Sequence, residues 1–101
     1  MSTISPNEAY RRASADDTCV IVDVREDFER QERIPGAGHL PMSRMLREVD
    51  ELLPRKELYV VCASGGRSLM VAEFLAGKGH AASFSVDGGM LGWKEEGLPL
   101  A

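Results

Sequence analysis

Two short apolar runs constrain this chain more than any other feature. Cys19-Val20-Ile21-Val22 and Leu58-Tyr59-Val60-Val61 are each unbroken and rich in β-branched side chains. A strand with one wet face alternates polar and apolar residues; a run without alternation reads as a strand covered on both faces. Such strands need layers above and below them, and the sequence between them supplies helices. Ser5-Pro6-Asn7-Glu8 is a helix start, with Ser5 as cap, Pro6 in the first turn and Glu8 completing a capping box, and the helix runs through Ala13. Met42, Met45, Leu46, Val49, Leu52 and Leu53 recur at helical spacing before Pro54. Arg67 to Lys78 reads as an apolar-rich helix capped by Gly79. Ser83-Phe84-Ser85-Val86 is a third strand, and Asp87-Gly88-Gly89 turns into a short last helix carrying Leu91 and Trp93. Ile34 to Pro41, with two prolines and two glycines, is loop with at most a short strand. Alternating strands and helices imply an α/β fold with a mainly parallel sheet.

The 101 residues suit one domain, 1–101, and on size alone a monomer. A formal net charge of −4 gives no electrostatic reason to expect nucleic-acid or membrane-surface partners. No stretch approaches the roughly 18 apolar residues of a membrane span. Met1 to Tyr10 has no basic segment followed by an apolar run, so a cytoplasmic location is expected. The two cysteines, Cys19 and Cys62, show no CxxC spacing and no histidine cluster beside them. Free thiols are expected, and no metal.

In parallel sheets, ligands bind beyond the C-terminal ends of the strands. Asp23-Val24-Arg25 ends one buried strand and Cys62 ends another, so the two segments are expected to share a crevice. After Cys62 come Ala63, Ser64, Gly65 and Gly66, and then Arg67 and Ser68 open a helix. Small side chains leave the amide N–H groups uncovered, and successive amides at a helix start make an anion-binding concavity. A thiol placed there ionises more readily and can attack an electrophilic sulfur. The persulfide formed is itself an anion suited to the same cradle. Arg67 adds a charged donor for an anionic substrate. Taken alone, a cysteine at a strand end is as often a small core hydrophobe; the Gly-Gly-Arg-Ser context favours chemistry.

With these residues in view, the chain resembles the rhodanese family. The resemblance rests on Asp23-Val24-Arg25, on Ile34-Pro35-Gly36-Ala37 with His39-Leu40-Pro41, on Cys62 to Ser68, and on Asp87-Gly88-Gly89-Met90-Leu91-Gly92-Trp93. It implies a three-layer fold with a five-stranded, mainly parallel sheet flanked by helices. It implies a sulfurtransferase working by a ping-pong reaction without metal or organic cofactor. Cys62 would take sulfane sulfur from thiosulfate or a persulfide and pass it to cyanide, a thiol or a protein acceptor. The amides of Ala63, Ser64, Gly65, Gly66, Arg67 and Ser68 would hold the sulfur. Asp23 and Arg25 would support the site. Two positions depart from the family pattern. Glu32-Arg33 stands where Gly-His is common, and Ala63 stands where thiosulfate-using members often carry a base. Arg67 is then the sole cation of the loop, and a persulfide donor or protein partner competes with thiosulfate as the substrate.

Two rival functions have their own signatures. A phosphatase or arsenate reductase needs a cysteine-to-arginine loop one residue longer than the four residues here, to seat a tetrahedral oxyanion. A non-catalytic binding or regulatory module would share the fold without the chemistry; the intact cysteine loop speaks against it. Elsewhere, Cys19 reads as core, His39 as packing or solvated, and His80 as helix-end surface. Met42, Met45 and Met70 read as core, Trp93 as packing for the last helix, and Glu29 and Glu32 as a solvated face.

Overall fold

The computed structural model describes residues 3–101. Five strands, β1 (Thr3–Ile4), β2 (Cys19–Asp23), β3 (Gly38–His39), β4 (Glu57–Val61) and β5 (Ser83–Val86), form one sheet in the order β1-β5-β4-β2-β3. Every pairing is parallel. The described helices are α1 (Pro6–Ala15), α2 (Met45–Glu48), α3 (Gly66–Gly77) and α4 (Gly89–Glu95). The expected α/β, three-layer architecture is therefore present.

The two apolar runs become the central strands because their side chains are needed on both faces. Ile21, Tyr59 and Val61 pack with Ala9, Met90 and Trp93 in one core. Val22, Leu58, Val60 and Cys62 pack with Met45, Val49, Val71 and Leu75 in the other. The strand alternation thus places Cys62 in the core beneath α3. Trp93 is wholly buried, stacks edge-on with Tyr10 at 5.8 Å and donates from Nε1 to the Pro99 carbonyl at 2.8 Å.

The structure corrects several details. Ser5 caps α1 by accepting the Glu8 amide at 3.1 Å, but the Glu8 carboxylate turns to Arg11 and Arg12 and closes no capping box. The segment from Met42 to Glu51 is one four-residue α-helix, α2, between two 3-10 turns. Met45 and Val49 still face the core and Met42 packs against it, but Leu46 turns to solvent and regular helical hydrogen bonding is lost. His80 is buried, bonded through Nδ1 to Ser83 Oγ at 2.7 Å and through Nε2 to the Arg55 carbonyl at 2.6 Å. Met70 is 62% exposed, as are Phe28, Leu46 and Leu91 in large part. No helix among the described residues is long and apolar enough to cross a membrane.

Strand order decides where a ligand can sit. From β2 the chain moves outward to β3, then crosses back to β4 and on to β5. The crevice beyond the C-terminal ends of β2 and β4 is the point where connections diverge. Asp23 pairs with Val61 in register, and the Val24 amide donates to the Val61 carbonyl at 3.0 Å. The chain after β2 and the loop after β4 therefore meet there.

Candidate active site

Cys62 leaves β4 and its loop curls around its own sulfur. Gly65, at φ +112°, makes the turn into α3; a side chain there would be strained. The turn aims amides inward: Gly65 N–H donates to Cys62 Sγ at 3.0 Å and Ser68 N–H at 3.4 Å. Ser68 Oγ lies 3.5 Å from the sulfur, 3.1 Å from the Gly65 carbonyl and 2.7 Å from Ser85 Oγ. The hydroxyl has a single proton to give. When Cys62 is ionised, its sulfur only accepts. Ser85 donating to Ser68, and Ser68 to the sulfur, then satisfies the anion.

The thiol is 1% exposed. Burial pushes its pKa up, but the Ser68 hydroxyl and the amides of Ser68, Gly65 and Ser64 outweigh it, and the net shift is downward. The loop is built to hold a negative sulfur.

The C-terminal motif clasps this loop from outside. Met90 N–H donates to the Cys62 carbonyl at 2.8 Å and Leu91 N–H to the Ala63 carbonyl at 3.2 Å. Gly89, at φ +56°, lies against the loop so closely that a Cβ there would meet the Cys62 carbonyl oxygen, and Ala63 C and Ser64 N at 2.9 Å. The turn thus needs glycine twice over, for its backbone conformation and for the close approach.

Asp23 and Arg25 form a buried pair beside the crevice. Arg25 Nε and Nη2 reach the Asp23 carboxylate at 2.8–3.1 Å, and Arg30 Nε adds 3.1 Å. Burial raises the Asp23 pKa, but the Arg25 bonds prevail and hold it below its ordinary value. Arg25 also donates to the carbonyls of Glu29 and Glu32, at 2.9 and 2.8 Å, fixing the segment that follows β2. Neither residue hydrogen-bonds Cys62.

Arg67 does not point at the sulfur for its bonds. Its two terminal nitrogens form a fork on Glu29, at 2.8 and 2.7 Å, while Glu29 also accepts the Glu26 amide at 2.8 Å. Glu29 is therefore a built partner and not a solvated face. Arg67 and the Glu26 amide depress its pKa to about 2. Cys19 stays in the opposite core, paired in register with Glu57 at the start of the strands, beside a cavity of about 430 Å³ lined with Tyr10, Ile34 and Trp93. His39 Nε2 sits 2.7 Å from the Arg25 carbonyl.

Sequence reasoning missed three residues. Ser85 left a signal, a polar residue on the α3-facing side of a buried strand. Glu29 left none, because its partner lies 38 positions away. Gly89 was seen as a turn residue, without its approach to the loop.

The fold and this loop define a class: an α/β domain with a cysteine cradled by amides at the topological switch point. The chain belongs to the rhodanese-like domain family, whose model matches residues 5–96. It is 35% identical over 97 residues to YtwF of Bacillus subtilis, covering 95% of this chain and 93% of that one. It is 31% identical over 98 residues to the thiosulfate sulfurtransferase GlpE of Actinobacillus pleuropneumoniae, covering 96% and 90%. A rhodanese-related protein from Thermoplasma volcanium superposes with a TM-score of 0.88 at 30% identity, over 100% of this chain and 98% of that one. This is a rhodanese-like sulfurtransferase family in which relatives carry named transferase activity.

Proposed function

We propose that the chain is a sulfurtransferase that carries sulfane sulfur as a persulfide on Cys62. The observation that carries this reading is the Cys62 sulfur itself, buried yet held by two amides and next to a hydroxyl, an environment that favours the anion. The Cys62 thiolate attacks the outer sulfur of a donor R–S–SH. A new S–S bond forms to Cys62, the donor S–S bond breaks, and RS⁻ leaves. With thiosulfate the same attack expels sulfite. A thiophilic acceptor, cyanide or a thiol, then takes the outer sulfur and returns Cys62 to the thiolate. The lowered pKa of Cys62 raises its thiolate fraction and so lessens the need for a separate base. Asp23 and Arg25 hold the crevice wall, and the whole chain works as one domain.

Intact mass measurement after incubation with thiosulfate, and separately with an alkyl persulfide, tests this. The expected result is gain of one sulfur atom on Cys62, reversed by cyanide and absent in Cys62→Ser. No gain from either donor in folded protein would instead mark a binding or regulatory module.

A further inference from the structure

The cations near the crevice are engaged by carboxylates. Arg25 and Arg30 are on Asp23, and Arg67 is forked by Glu29. The fork uses both terminal nitrogens of Arg67, the sole cation of the cysteine loop. A bidentate pair of this kind fixes the guanidinium as well as cancelling its charge. Glu29 in turn is held by the Glu26 amide, and its own carbonyl by Arg25. At the cysteine loop a ligand therefore meets an Arg67 charge already paired with Glu29, while Arg25 and Arg30 share Asp23 beneath the surface, so the loop itself offers no free cation to draw in a dianion.

We propose that Glu29 sets the charge selectivity of the Cys62 site: by occupying Arg67 it disfavours dianionic sulfur donors of the thiosulfate type and leaves neutral or singly charged persulfides as the substrate class. The donor class rests on the sulfur-transfer reading above; the charge selectivity does not. Ala63, which adds no cation beside Cys62, acts in the same direction.

Iodoacetamide and iodoacetate separate charge from chemistry. In both, the Cys62 thiolate forms an S–C bond, the C–I bond breaks and iodide leaves; only iodoacetate carries a charge. For the wild type, the iodoacetate-to-iodoacetamide rate ratio at Cys62 is expected to rise with added salt, because screening weakens repulsion. In Glu29→Gln, which keeps one oxygen to accept from Arg67, the ratio at low salt is expected to rise roughly fivefold, the scale of one charge removed from a partly exposed ion pair. The salt trend should then reverse. The thiosulfate-to-alkyl-persulfide ratio of kcat/KM should rise alongside. A wild-type ratio that falls with salt, or an unchanged ratio in folded Glu29→Gln, overturns the proposal. If Glu29→Gln does not fold, the wild-type salt titration decides alone. Absence of any persulfide on wild-type Cys62 would overturn the sulfur-transfer reading, while the alkylation ratios would still report on Glu29.

Discussion

The chemistry of this site is set by a few polar groups placed against one sulfur. Ser68 is the clearest case. Its amide and hydroxyl both face Cys62, and its hydroxyl is backed by Ser85. Burial alone would raise the Cys62 pKa, so the depressed value depends on these donors. Ser68→Ala removes the hydroxyl and keeps the amide. The pH midpoint for Cys62 alkylation should move up in this variant, while in the wild type it should lie below the roughly 8.5 of a free thiol. An unchanged midpoint would mean that the amides suffice. The sequence showed Cys62, the glycines and Ser68 because they are contiguous, and loop chemistry is local. It did not show that Arg67 is spoken for, because a salt bridge across 38 positions leaves no periodic or local trace.

At the level of elements, the strands were legible and the short helices were not. A buried parallel strand announces itself by an unbroken β-branched run, and the central strands β2 and β4 were found within a residue or so. The region from Met42 to Glu51 has helical spacing without the length to sustain a regular helix, so it settles into turns that tertiary packing holds. The edge strand β1, of two residues, is too short to carry a pattern. The α4 turn matters to the site because its amides grip the loop carbonyls of Cys62 and Ala63. Gly89→Ala would force a Cβ into that loop from an unfavourable backbone conformation. Urea unfolding should show a loss of about 2–3 kcal/mol. Cys62 alkylation should lose its low-pH midpoint as the loop shifts. Wild-type stability in this variant would show that the approach is easily relieved.

For the molecule as a whole, solvent-screened ion pairs give stability a modest dependence on acid. Glu8, beside Arg11 and Arg12, and Glu29, beside Arg67, are each lowered from 4.5 to about 2, and Asp16, held by Thr18 and Lys56, from 3.8 to about 2. A carboxylate whose folded pKa is depressed stabilises the fold fully above its unfolded pKa and loses that contribution as pH falls through the folded one. Stability should therefore be flat down to about pH 5 and drain between about 4.5 and 2. Circular dichroism melts across that range would show it, and Glu29→Gln should flatten part of the decline. A loss beginning above pH 6 would point to another group.

The clasp between α4 and the cysteine loop also orders events in time. On the ribosome, Cys62 emerges well before Met90 and Leu91, and β1 emerges long before β5, the strand it pairs with. Parallel pairings of this span close late in folding. A nascent chain therefore carries its thiol without the outer grip on the loop. The surroundings of Cys62 are thus completed only when the C-terminal motif folds back onto its loop.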